Sequence, residues 1–178
     1  DVTVSSLKDL AKAAAADKQE IRMEPGVYRM ADYLTPEVLK EIEAGVDRTE
    51  ARPPVPMFVF RGGNNHIDLT GVILEIDTAL YGKIPQGGYT RCLIVEGSGN
   101  RIEGLTIRNT GENHGSGGNI LSVQGDDNTL ENVTLHVYGS FPWGYGDLLG
   151  KGGPNLVILE KQSGIQVIGN RSLLRRCK

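Results

Sequence analysis

The chain has 178 residues, 39% of them hydrophobic, and a formal net charge of -3, so it is long enough to bury a core and fits one domain rather than two. No apolar run approaches the roughly 20 residues of a helical membrane span, and the charge provides no electrostatic footprint for nucleic acid or an anionic membrane. Glycine stands out: 24 residues, about twice what an average usage of roughly 7% would give, which predicts many tight corners or positive-φ positions.

In chain order, Val4, Leu7, Leu10, Ala11 and Ala14 recur at helical spacing. Ser6 with Asp9 forms a Ser-x-x-Asp start signal, so an amphipathic helix is predicted over about residues 6 to 17. Glu20 to Met30 alternates about the Pro25-Gly26 corner and reads as two short strands. Thr35 as cap, Pro36 at the first helical position, Leu39 and Ile42 facing inward and Gly45 as stop predict a short helix. A loop from Ala51 to Pro56 follows.

An internal repeat then begins. Leu93-Ile94-Val95-Glu96-Gly97-Ser98-Gly99-Asn100 recurs as Leu121-Ser122-Val123-Gln124-Gly125-Asp126-Asp127-Asn128, and both copies continue apolar-x-x-apolar-x-apolar to Ile107 and Leu135. Related copies start near Phe58 and Ile165. Units too small to bury their own apolar face must stack on one another. The pairs Phe58/Phe60, Leu93/Val95, Leu121/Val123 and Ile165/Val167 should point inward. Arg61, Glu96 and Gln124 should stand outside as a ladder spaced about 4.8 Å apart. The glycine should let each coil turn its corner, and Asn65, Asn100 and Asn128 should stack their amides. The first copy needs a two-residue insertion around Thr70. The fourth shows Gly169-Asn170 without the two-residue spacer, which leaves its register open.

These Gly-x-x-Asn turns, short strands and N-terminal amphipathic helix resemble the right-handed parallel β-helix proteins of the pectin-lyase-like superfamily, and the resemblance runs over the whole chain. It implies an all-β fold: one β-helix domain over residues 1–178, capped by the N-terminal helix, as a complete solenoid or the N-terminal part of a longer one. It further implies a carbohydrate-active protein, foremost a polysaccharide lyase acting on uronate-containing glycans. The alternative is a non-catalytic solenoid for glycan binding or assembly, as in adhesins and tailspikes. We expect a secreted or periplasmic location.

Candidate site residues lie where the repeat is interrupted. The longest interruption, Tyr138 to Asp147 and on to Pro154, holds the only Trp. Loops on a rigid solenoid commonly carry binding, and aromatic faces suit sugar rings. Trp143, Phe141, Tyr138 and Asp147 are therefore the expected substrate-binding residues, with packing against the coil's flank as the plainer role. A second loop, Asn109 to Asn119, adds His114 and Glu112, and either lines the same groove or is a solvent-facing connection. Lyase chemistry needs neutralisation of the uronate, a base for the C5 proton and an acid for the leaving oxygen. The resemblance implies Lys161 or His114 as base, Arg175 as neutraliser and Tyr145 as acid, sometimes with calcium, for which the chain shows no motif. No metal ligands are assigned, since the spacing of His66, His114 and His136 is not that of a metal site. Asp126-Asp127 invites comparison with paired glycosidase carboxylates, but its place in the repeat marks it as a corner. Cys92 and Cys177 match no disulfide or zinc pattern and read as free core thiols. Beginning at Asp1 without a signal-peptide pattern is expected of a processed or trimmed chain. The partners expected are a polysaccharide or oligosaccharide, no nucleic acid, no membrane, and end-to-end self-association through the apolar run at Leu173-Leu174.

Overall fold

The structure, a computed structural model, describes residues 1–51, 53–85, 89–111, 118–137 and 162–178. In chain order they form β1 (Val2–Val4), α1 (Leu7–Ala13), β2 (Glu20–Met23), β3 (Gly26–Arg29), α2 (Met30–Tyr33), α3 (Pro36–Gly45), β4 (Pro54–Phe60), β5 (His66–Asp68), β6 (Val72–Asp77), a 3-10 turn (Thr78–Gly82), β7 (Tyr89–Val95), β8 (Arg101–Glu103), β9 (Thr106–Thr110), β10 (Gly118–Val123), β11 (Thr129–Glu131), β12 (Thr134–His136), β13 (Gln162–Val167) and β14 (Leu173–Arg175). The strands fall into three sheets. Sheet A runs β1-β2-β5-β8-β11-β14, sheet B β12-β9-β6-β3 and sheet C β13-β10-β7-β4. Every pairing is parallel. From β2 onward the chain visits A, B and C in turn, an arrangement consistent with a parallel β-helix.

The repeat register holds in sheet C. Phe58, Leu93, Leu121 and Ile165 are successive partners, as are Phe60, Val95, Val123 and Val167. The first three of each row are buried. In sheet A, Ile21, Ile67, Ile102, Leu130 and Leu174 form the matching row. Coil stacking removes each apolar residue from water using its neighbours above and below, which no single coil does for itself. The last coil lacks such a neighbour among the described residues, and Val167, Ile168, Leu173 and Leu174 are 40 to 55% exposed. The insertion around Thr70 is also present: Asp68 partners Glu103 while Ile73 partners Thr106.

The glycine column works differently from the expectation. A Cβ on Gly62, Gly97, Gly125 or Gly169 would lie 1.9 to 2.2 Å from a carbonyl oxygen of the preceding coil, those of Ala16, Gly62, Gly97 and Gly125 in turn. These glycines are required by backbone contact between coils. The left-handed residue comes two positions later, at Lys18, Asn64, Gly99, Asp127 and Arg171. That column also corrects the reading of the fourth copy: Gly169 is followed by the spacer Asn170-Arg171, and Ser172 stands in the Asn position, its hydroxyl 3.4 Å from the Gly169 carbonyl. The asparagines form a ladder of side chain on backbone rather than amide on amide. Asn65 Oδ1 accepts from Gln19 N at 2.8 Å, Asn100 Oδ1 from Asn65 N at 2.9 Å and Asn128 Oδ1 from Asn100 N at 2.9 Å.

Near the N-terminus, α1 ends four residues earlier than predicted. Its Ser6 cap accepts from Asp9 N, but the Ala14 carbonyl already accepts from Gly62 N and Lys18 N donates to the Gly63 carbonyl, so residues 14–19 follow the corner of the next coil. Val4, expected on the helix face, is a buried residue of β1, and α2 was not foreseen. The helix over Pro36–Gly45 forms as predicted, with Thr35 Oγ1 accepting from Val38 N at 3.3 Å. Strand β4 starts at Pro54, inside the expected loop. It is an edge strand, where prolines cost no ladder hydrogen bond. Cys92 and Cys177 are free thiols, as read.

Candidate functional site

Connection length separates one corner of the coils from the other two. The C-to-A connections are five residues each: 61–65, 96–100, 124–128 and 168–172. The A-to-B connections are two or three residues. The B-to-C connections span 30–53, 78–88, 111–117 and 137–161. The two loops singled out in the sequence thus leave the same corner on successive coils, next to the start of β7, β10 and β13 in sheet C.

The outer face of sheet C changes character across its strands. Under β4 and β7 it is partly apolar and borders a groove of about 740 Å³, walled by α1 and α3 and floored by Pro56, Val59 and Ile94. Arg61 Nη1 meets Glu96 Oε2 there at 3.3 Å, both exposed, so the outward ladder exists. Towards β10 and β13 the face turns polar. Asn119 Nδ2 donates to Gln166 Oε1 at 3.0 Å and Ser122 Oγ to the same oxygen at 3.2 Å. Arg91, partner of Pro56 on one side and Asn119 on the other, has a buried Nε with no hydrogen-bond partner.

Sheet A carries a different surface, one whose charges satisfy each other. Glu131, with its side chain 4% exposed, receives Arg101 at 3.2 Å, Arg175 at 3.0 Å and Arg176. His66 bridges three strands, with Nδ1 2.8 Å from Glu20 and Nε2 2.8 Å from Glu103. The hydrogen bond to Glu103, helped by Glu20, holds the His66 pKa above the ordinary histidine value. Reciprocally, the His66 bond, followed by Arg101, holds Glu103 below the usual carboxylate range. Asp126 and Asp127 are corner residues as read: Asp127 pairs with Arg171 at 2.7 Å, which lowers its pKa, and Asp126 accepts from Asn170 N at 2.7 Å.

Of the predicted catalytic residues, Arg175 is at the end of β14 in sheet A, bound to Glu131. Lys161, His114, Tyr145, Trp143, Phe141, Tyr138 and Asp147 lie outside the described residues. Arg175 alone of these eight lies among the described residues. Among the described residues no group of three His, Cys, Asp or Glu side chains could hold a metal ion, and no helix is long and apolar enough to cross a membrane. Sequence reasoning missed Arg91 and the Glu131 cluster. The signal for Arg91 was a lone charge between Thr90 and Cys92, both of which are buried. Compared with known proteins, the chain matches no protein-family model and no curated protein.

Proposed function

We propose that this is a carbohydrate-active protein of the pectin-lyase-like superfamily, a right-handed parallel β-helix with α1 as its N-terminal cap, which holds a polysaccharide along the outer face of sheet C. One observation carries the reading: all the long connections leave the B-to-C corner, beside the strands whose outer face carries the hydrogen-bonding row Asn119, Ser122 and Gln166. A row of amides and hydroxyls on a rigid sheet, flanked by loops, is suited to sugar hydroxyls. The loop containing Trp143, Phe141, Tyr138 and Asp147 would add aromatic faces to that groove. The reaction proposed is β-elimination on a uronate-containing glycan in a secreted or periplasmic setting, with Lys161 or His114 as base and Tyr145 as acid.

A second reading, a non-catalytic glycan-binding solenoid, is favoured by the commitment of Arg175 to Glu131, since an arginine held by a buried carboxylate is not a free neutraliser. Both readings are tested by incubating the protein with alginate, pectate and glycosaminoglycans while following the ultraviolet absorbance of an unsaturated uronate and, in parallel, the fluorescence of Trp143. Product formation supports the lyase. Quenching without product supports the binding solenoid. No response to any glycan in either signal overturns the carbohydrate reading.

A further inference from the structure

Arg91 is an outlier among the described arginines. Every other described arginine lies within 4.0 Å of a carboxylate. Arg91 has no such partner among the described residues, and its Nε is buried without a hydrogen bond. A guanidinium keeps its charge at any physiological pH and presents a planar fork of donors. Leaving a buried donor of such a group unsatisfied is costly, and the strand register holds the residue in place between Pro56 and Asn119.

The neighbours sharpen the chemistry. Gln166 Oε1 is already the acceptor for both Asn119 Nδ2 and Ser122 Oγ. Gln166 retains two amide N–H donors beside that occupied oxygen, and the described row of Arg91, Asn119, Ser122 and Gln166 contains no acidic residue. Gln166 lies two strands from Arg91 and three residues further along, in register with Ser122 and Ile94, so the row runs diagonally across sheet C. A row of amides and a hydroxyl with a fork-shaped cation at one end fits a ligand that is anionic at one point and polar along its length.

Resting on the proposed polysaccharide reading, we propose that Arg91 is the subsite that grips an anionic group of the glycan, with a uronate carboxylate as the ligand chemistry, and so selects acidic over neutral chains. The Asn119–Gln166 pair supports the neighbouring sugar.

The test is calorimetric titration of the intact protein with an oligogalacturonate, with its methyl ester, and with a sulfated, uronate-free galactan oligosaccharide that separates sulfate from carboxylate as the anion source. Wild type should bind the acid form about tenfold or more tightly than the ester, the scale of one charge-assisted fork. Arg91→Gln should remove that preference while leaving ester affinity unchanged, and Arg91→Lys should restore part of it. Arg108→Gln, on sheet B, should alter neither affinity. Equal binding of acid and ester by wild type, or equal weakening of both by Arg91→Gln, overturns the Arg91 assignment and leaves the polysaccharide reading standing. Tighter binding of the sulfated oligosaccharide than of the oligogalacturonate overturns the choice of carboxylate. Binding of none of the three overturns the subsite, and the polysaccharide reading falls with it where alginate and glycosaminoglycan oligosaccharides also fail to bind.

Discussion

Replacing Gly97 by alanine should be among the most damaging single-methyl changes available to this protein. The added Cβ would sit 2.0 Å from the Gly62 oxygen, 2.5 Å from its carbonyl carbon and 2.8 Å from the Arg61 oxygen, where contact distances of about 3.5 Å or more are needed. The coils would have to separate by about 1.5 Å at this corner. All three atoms are backbone, so no rotamer change relieves the clash. The separation would instead strain the bonds that Glu96 N and Gly97 N donate to the Phe60 carbonyl at 2.9 and 3.3 Å, and the Asn65 N to Asn100 Oδ1 bond. Overpacking costs about 1 to 3 kcal/mol where side chains yield, and each weakened buried hydrogen bond adds about 1 kcal/mol, so a loss of at least about 3 kcal/mol is expected. For a chain of this length that lowers Tm by about 6 to 12 °C. Gly45→Ala is the matched control: a Cβ there meets nothing within 4 Å, and alanine in a helix is neutral or stabilising by up to about 1 kcal/mol. Calorimetric and urea melts of both variants decide the matter. A Gly97→Ala protein melting within about 2 °C of wild type would refute the contact argument and the corner geometry behind it.

Val95 is fully buried in the Phe60–Val95–Val123 row, so Val95→Asp should cost several kcal/mol and prevent folding; an unchanged circular-dichroism melt would contradict the register. Glu96→Gln removes only an exposed pair with Arg61 and should change stability by about 0 to 1 kcal/mol, read from the urea midpoint. His66 has a raised folded-state pKa, so its bridge stabilises the fold fully below the unfolded value of about 6.5 and is lost as pH rises through the folded value. Glu103, shifted down, contributes above its unfolded value and is lost as pH falls through the folded one. Urea midpoints measured against pH should therefore decline on the alkaline side of 6.5 in wild type and lose that slope in His66→Gln; an identical slope in both would place the proton elsewhere.

The parts of the fold legible in the sequence were those enforced locally or repeated. The Thr35-Pro36 start and Gly45 stop of α3 act within one turn. The Phe58/Leu93/Leu121/Ile165 register shows because all four strands of sheet C repeat one apolar period, each anchored on a glycine. The fourth corner was misread because the column looked like an asparagine requirement, whereas its constraints are the glycine contact and the left-handed residue, and Gly169-Asn170-Arg171-Ser172 meets both. In sheet A most strands are three residues long, too short to display a period, so its charge ladder stayed hidden. Arg175 looked free because its partner Glu131 is 44 residues away, a separation at which sequence spacing carries no information. Arg91 had the opposite problem: its significance is the absence of a partner, which only a contact map reveals.

The unequal corners explain why one fold can hold chemistry without losing its core. At the C-to-A corner successive backbones touch through glycine, and each asparagine clamps an N–H of the coil before it, so every coil must keep the same five-residue path. A change of length there would break contacts on both sides. The B-to-C corner has no such column: among the described residues its connections include two helices in one coil and a 3-10 turn in the next, and the strands they enter still align residue for residue. The connections at that corner differ in length while the strands they enter stay in register along sheet C. Sheet A, whose outward charges bind one another from coil to coil, has fewer unsatisfied groups to offer a ligand. Sheet C combines connections of variable length with an arginine that has no carboxylate partner among the described residues, and the proposed binding face rests on that combination rather than on any single motif.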